Sequence, residues 1–263
     1  MMLLVDIGNT RIKWMLCHRD RVITRGHFVH RDTVWGNLGE RLWGRLEPPS
    51  QVIIANVAGS DVVDILSHWL TKTWALTPRF IDSQAKGFGV QNAYKKPQQL
   101  GVDRWVALIG ARTLTQQNCC IVDCGTAVTV DAMNEKGAHL GGVIFPGTRL
   151  MREVLYRGTR QITEKNKGNM MLFGDNTRDG VWSGTTYAVA AAIDGISEHM
   201  EQTLQIKLRR ILTGGNSQRL FPYLQNSYLL EPDLIFHGLR FIAEYENIDN
   251  LATFARDLQC IEK

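Results

Sequence analysis

Asp6, Gly8, Asn9, Thr10 and Lys13 stand together in the run DIGNTRIK, directly after the apolar stretch Met2-Leu3-Leu4-Val5. A buried strand would deliver the Asp6 carboxylate to its end, and Gly8 would let the backbone turn tightly and approach a ligand. Asn9 and Thr10 add short polar groups at the tip, and Lys13 returns on the next strand. These are the parts of a phosphate-binding turn. They are equally the parts of an ordinary Asp-x-Gly-Asn hairpin.

The layout returns in the second half of the chain. Cys119-Cys120-Ile121-Val122 leads into Asp123-Cys124-Gly125-Thr126-Ala127-Val128-Thr129, so an apolar strand again delivers an aspartate, a glycine and hydroxyl residues. Two copies of strand, D-x-G-[N/T] turn and strand predict similar half-domains facing each other across a cleft, at a spacing too long for a solenoid repeat. A third element, Ile211-Leu212-Thr213-Gly214-Gly215-Asn216, runs a strand into a double glycine. It either admits a flat ring at close range or serves as a plain strand-to-helix turn.

Such turns need elements to hold them. Residues 2–28 read as three consecutive strands, followed by helical patterning near Thr33 to Leu46, a buried strand at Gln51 to Ala55 and a helix near Asp61 to Thr73. Lys86 to Arg104 is polar and broken by Gly and Pro, and leads into a helix at Trp105 to Thr115. The second half begins with the strand at Cys120 and continues with strands at Ala127 to Met133 and Gly137 to Ile144, then a helix to about Tyr156. A polar loop near Gly158 to Asn169, a long helix after Asn176-Thr177 through Met200, and a helix over Asp233 to about Tyr245 complete the pattern. The order predicts an α/β protein with mixed sheets, divided into residues 1–115 and 116–263. The tail from Glu246 to Lys263 shows no chemistry.

Bulk properties exclude several classes. At 263 residues, 44% hydrophobic and 21% charged, the chain has the make-up of a globular protein with well-filled cores. A net charge of +4 with scattered basic residues gives no nucleic-acid footprint. No apolar run approaches the roughly 18 residues that span a bilayer, and Asp6 interrupts what a secretory leader would keep apolar. Five cysteines, an odd number with four of them in strand-like apolar settings, argue against a disulfide framework and for a reducing cytoplasm. Cys120 and Cys124 have no second Cys/His pair at zinc spacing. Neither a P-loop nor an HExxH motif occurs, and Gly87-Phe88-Gly89 lacks the third glycine of a dinucleotide fingerprint. The seven histidines are dispersed and read as surface or satisfied core residues.

Taken together, these residues resemble the type III pantothenate kinases, a branch of the acetate/sugar kinase, heat-shock-70 and actin superfamily. The family's D-x-G-N-T-x-x-K is met by Asp6, Gly8, Asn9, Thr10 and Lys13, its D-x-G-T-A-x-T by Asp123, Gly125, Thr126, Ala127 and Thr129, and its adenosine motif by Thr213, Gly214 and Gly215. Its substrate signature G-x-D-R appears as Gly101, Val102, Asp103 and Arg104, with Tyr94 upstream. G-G-x-x-x-P-G spans Gly141 to Gly147, and Asn176, Thr177 and Gly184 meet a further motif. The departures are peripheral: Cys124 as the variable residue of the second turn, and the tail.

The resemblance implies duplicated actin-like (ribonuclease H-like) domains, with mixed five-stranded sheets flanked by helices. It implies ATP-dependent phosphorylation of pantothenate to 4'-phosphopantothenate in a cytoplasmic homodimer, with no nucleic-acid or membrane partner. ATP would be held by Asp6, Ile7, Gly8, Asn9, Thr10, Arg11, Ile12, Lys13 and Thr126, with Gly214 and Gly215 against the adenine. Pantothenate would be held by Tyr94, Gly101, Val102, Asp103, Arg104 and Thr177, with Asp103 as base and Arg104 facing the substrate carboxylate. Asp123 would contact a monovalent cation, potassium or ammonium, while magnesium accompanies ATP. Plainer roles stay open: Asp103 or Thr177 as a helix cap, Arg104 as a surface salt bridge, and the small residues of Tyr187 to Ile196 as core rather than dimer contact. Kinases for sugars, acetate or polyphosphate share the D-x-G turns but not Gly-Val-Asp-Arg with an upstream tyrosine. An inactive regulator would not need both turns, Lys13 and Asp103 intact.

Overall fold

The computed structural model describes residues 1–19, 21–30, 37–159, 162 and 167–245. The first residues of the helix expected from Thr33, part of the loop expected near Gly158 to Asn169, and the tail from Glu246 lie outside them.

The first sheet contains β1 (Met2–Ile7), β2 (Arg11–His18), β3 (Arg21–Val29), β4 (Gln51–Asn56) and β5 (Arg79–Phe80), in the order β3-β2-β1-β4-β5. β1 is antiparallel to β2 and parallel to β4. Every residue of β1 is buried, as a central strand covered on both faces must be. Leu3, Val5 and Ile7 share a core with Leu38 and Trp43 of α1 (Leu38–Trp43) and with Val62, Leu66 and Leu70 of α2 (Ser60–Trp74). Side chains alternate along a strand, so Met2, Leu4 and Asp6 point to the other face. A two-stranded ribbon, β6 (Lys86–Gly87) and β7 (Val90–Gln91), precedes α3 (Val102–Leu114).

α3 starts three residues before the helix expected at Trp105, its first turn closed by the Trp105 N–H donating to the Gly101 carbonyl at 3.0 Å. Near its middle, a Cβ on Gly110 would run into the Leu234 carbonyl, and one on Gly238 into the Val106 carbonyl. α3 and the helix over 234–245, α7, therefore cross at backbone contact, and glycine on both sides permits it.

The second sheet repeats the first. It contains β8 (Cys119–Cys124), β9 (Ala127–Met133), β10 (His139–Pro146), β11 (Arg209–Thr213) and β12 (Leu229–Leu230), in the order β10-β9-β8-β11-β12. β10 begins after the expected Gly137 because that residue, at φ 81°, belongs to a turn in which the Asn134 side chain accepts the Lys136 and Ala138 N–H groups. Val122, Val128, Val130 and Leu212 pack with Val189 and Ile193 of α5 (Thr177–Leu204). α4 (Thr148–Gly158) and the short α6 (Ser217–Leu220) follow β10 and β11. The architecture is the duplicated actin-like fold, two mixed five-stranded sheets each with flanking helices. The chain divides into two compact units, Thr115–Asp233 and the remainder. α7 groups with the first unit, although in sequence it follows the second.

Candidate functional site

In the first unit, Asp6 pairs with Lys13 and Ile7 with Ile12 across the β1–β2 hairpin. The Gly8 N–H donates to the Arg11 carbonyl at 3.0 Å, which leaves Asn9 and Thr10 at the tip. Asn9 and Arg11 are exposed, Thr10 and Lys13 half-buried. The register brings Lys13 Nζ to 3.9 Å from Asp6 Oδ2. Asp6 itself is 7% exposed. Burial pushes its pKa up to about 6; Lys13 opposes this, and the Asp103 carboxylate adds to it. Lost hydration outweighs the attraction of one lysine at that distance. The influence of Asp103 also means that the first turn and the Gly-Val-Asp-Arg signature, far apart in sequence, share one electrostatic neighbourhood.

Asp103 lies inside the first turn of α3, a place where unpaired N–H groups favour a carboxylate. It is not the N-cap that a helix beginning at Trp105 would make of it, because the helix already runs from Val102. Its Oδ1 accepts the Arg104 N–H at 2.8 Å. A Cβ on Gly101 would stand 2.6 Å from that oxygen, so glycine at 101 makes room for the carboxylate. Arg104 is 5% exposed, which rules out a surface salt bridge. Its Nη1 donates to the Tyr94 hydroxyl at 2.8 Å, and the guanidinium lies 5.5 Å from the centre of that ring. Asn92, absent from the sequence assignments, sets Tyr94: its Oδ1 accepts the Tyr94 N–H at 2.9 Å, and its Nδ2 donates to the Gln84 and Pro97 carbonyls. An asparagine two residues before a key side chain is the usual mark of such a local bond.

In the second unit the Gly125 N–H donates to the Ala127 carbonyl at 3.0 Å, so Thr126 alone forms the tip. Parallel pairing of β8 with β11 places Thr213 beside Asp123. The chain then passes over the turn, where the Asn216 N–H donates to the Cys124 carbonyl at 2.9 Å. Gly214 adopts φ 94°, and a Cβ there would collide with Asp123 Oδ1. Gly214 is thus required by the second turn itself, whereas Gly215 is exposed. Gly147 seats on the same turn: its N–H donates to the Thr126 carbonyl at 3.0 Å, and a Cβ would stand 2.7 Å from the Gly125 carbonyl. α4 therefore starts against the second turn.

Thr177 is exposed and opens α5, but the N-cap is Asn176, not Thr177. The Asn176 Oδ1 accepts the Asp179 N–H at 2.9 Å, and its Nδ2 donates to Asp179 Oδ2 at 2.9 Å, an N-cap whose side chain is itself held by the N3 carboxylate, a relative of the capping box. Asp179 also accepts the Asn169 N–H at 2.8 Å. That bond first, and the donation from Asn176 Nδ2 next, pull its pKa down to about 2. The sequence assignments missed Asp179, though its place three residues after a capping asparagine signals it. Cys119, Cys120 and Cys124 are buried, and burial pushes the Cys120 thiol up to about 12, so it carries no reactive thiolate.

The family model for type III pantothenate kinases matches residues 2–199. The chain belongs to the type III pantothenate kinases. It is 34% identical over 250 residues to the type III pantothenate kinase of Nitrosococcus oceani, covering 93% of this chain and 94% of that one. It is 38% identical over 243 residues to that of Nitrosospira multiformis, covering 92% and 91%. The activator of the 2-hydroxyisocaproyl-CoA dehydratase from Clostridium difficile, solved with bound ADPNP, superposes with a TM-score of 0.55 at 10% identity, covering 96% and 97%, a likeness of fold alone. A type III pantothenate kinase transfers a phosphoryl group from ATP to pantothenate for coenzyme A biosynthesis, in a nucleotide- and cation-dependent reaction, and this enzyme does so. Among the described residues no helix is long and apolar enough to cross a membrane.

The raised pKa of Asp6 has a measurable consequence. Between its ordinary value of 3.8 and about 6 the folded chain holds a proton that the unfolded chain has released. The contribution of this group to stability is therefore fully present below the lower value and lost as pH rises through the upper one. Asp6→Asn is expected to be more stable than the parent above about pH 6, by up to roughly 3 kcal/mol, with the gap closing toward about pH 4. Urea unfolding without divalent cations measures it, and equal midpoints at about pH 7.5 would contradict the electrostatic account.

Proposed function

We propose that Asp103 accepts and orients the proton of pantothenate's primary hydroxyl, while Arg104, held by Tyr94, receives the substrate carboxylate. What supports this assignment is that the Asp103 carboxylate, in the first turn of α3, lies close enough to the first phosphate turn to act on the ionisation of Asp6. Phosphoryl transfer asks chiefly for in-line positioning and for stabilisation of spreading charge. Asp6 through Lys13 supply one turn for the ATP phosphates, Thr126 the tip of another, and exposed Gly215 beside Gly214 a flat approach for the adenine. Gly101 and Val102 shape the backbone next to the hydroxyl, and Thr177 adds a hydroxyl from the start of α5. A buried guanidinium with a planar fork of donors suits a carboxylate better than a lysine would.

Cations fit the carboxylates present. Asp6 is only partly compensated by Lys13, and magnesium bound by one carboxylate and by ATP oxygens would neutralise charge on the transferred group. Asp123, half-buried at the head of the second turn, suits potassium or ammonium. A homodimer is supported by α5. Val189, Ala190 and Ile193 are buried, whereas Gly184, Ala188, Ala191 and Gly195 are exposed at spacings of one helical stripe. Among the described residues, the helix's own backbone aside, nothing lies within 4 Å of where a Cβ on Gly184 or Gly195 would be, which suits a second copy.

Three measurements check these assignments. Asp103→Asn is expected to lower turnover by about 10²- to 10⁴-fold with little change in thermal stability, because it removes proton acceptance and little else; near-normal turnover would assign the proton to another route. Activity with magnesium and ATP should be nearly absent in sodium or Tris buffer and return with potassium or ammonium, and equal rates in both would remove Asp123 from the cation role. Light scattering should give twice the chain mass of 29.7 kDa, and a monomer mass in active protein would leave the α5 stripe without its partner.

A further inference from the structure

We propose that His30 is a positioning residue for the first phosphate turn, fixing the backbone donors that meet the phosphates of ATP. The proposal rests on the kinase function of that turn. His30 directly follows β3 and is 6% exposed. Its Nε2 lies 2.6 Å from the Gly8 carbonyl oxygen. A carbonyl only accepts, so the ring nitrogen donates. The backbone N–H of His30 donates to the Thr10 carbonyl at 3.1 Å. One residue therefore holds the carbonyls on either side of the two-residue tip.

The geometry of the peptide unit turns this into a statement about ligand binding. In a trans peptide the C=O and the following N–H point in opposite directions. Holding the Gly8 carbonyl toward His30 turns the Asn9 N–H away from it, and holding the Thr10 carbonyl does the same for the Arg11 N–H. Asn9 and Arg11 are both exposed. Successive backbone N–H groups presented on one side of a turn form a concavity for anions. The hairpin does not fix this by itself, because the Gly8 N–H to Arg11 carbonyl bond engages neither the Gly8 nor the Thr10 carbonyl, and glycine tolerates many orientations of its carbonyl. The imidazole supplies the missing restraint from a position 22 residues away in sequence.

The test compares His30→Gln, His30→Asn and His30→Leu with wild type by steady-state kinetics in ATP and in pantothenate. The amide nitrogen of Gln reaches the place of Nε2, that of Asn falls short, and Leu has no donor. Wild-type turnover of pantothenate with ATP, but not of sugars or acetate, checks the underlying kinase function separately. Loss of one hydrogen bond should raise KM for ATP by roughly 3- to 10-fold in His30→Asn and His30→Leu. Turnover and KM for pantothenate should stay within about 2-fold, and His30→Gln should behave as wild type. Unchanged KM for ATP in His30→Asn would overturn the proposal, as would equal impairment of His30→Gln and His30→Asn or a fall in turnover alone. Should His30→Leu fail to fold by circular dichroism, the Gln–Asn contrast decides by itself.

Discussion

A carboxylate held at the end of a strand with no exposed residue is the constraint around which the first unit is arranged. Burying Leu3, Val5 and Ile7 forces β1 into the centre of its sheet, and β1 then carries Asp6 out of water. The antiparallel register supplies a lysine at the paired position, and Asp103 stands close enough to work against it. A structure selected for stability alone would put an apolar residue there. The unfavourable ionisation of Asp6 is offset by the core beneath it, and it leaves a site where an incoming cation is electrostatically welcome.

The two D-x-G turns share their place in the sheet but not their geometry. The first has two residues at its tip and the second has one, as the bonds Gly8 to Arg11 and Gly125 to Ala127 show. Their supports differ as well. The first is braced by a side chain, His30, whereas the second is enclosed by backbone from Gly147 and Gly214, at positions where any Cβ would collide. Duplicated topology has thus been kept while the two turns came to be held by different donors: a histidine ring for the first, and for the second backbone N–H groups of chain seated at a distance that only glycine allows.

Much of this was legible in the sequence because it is local. Apolar runs bounded by Asp-x-Gly mark β1 and β8, and alternation marks β2 and β9. The start of α3 was read late because Gly101, Val102 and Asp103 follow a segment broken by Gly and Pro, and the periodic apolar signal begins only at Trp105. The two-residue strands β5 and β12 are too short to show any period. Side chains that act across long separations left no trace: nothing near His30 announces Gly8, and nothing near Gly110 announces Gly238. Asp179 was within reach, since the asparagine–aspartate spacing of its cap is visible in the chain. The double glycine reads either as a platform for a flat ring or as a plain strand-to-helix turn, and only the β8–β11 pairing reveals that Gly214 answers to Asp123.

The crossing of α3 with α7 bears on how the protein comes to be made. The second unit is one continuous stretch of chain, whereas the first is interrupted and regains α7 only after Asp233. Gly110 meets its counterpart Gly238 only after the second unit between them has been synthesised. Domains fold largely as units as the chain emerges, so the later half of the gene product can be finished while the earlier half still waits. Without α7, the helix that carries Asp103 would leave its Gly110 face uncovered at the crossing.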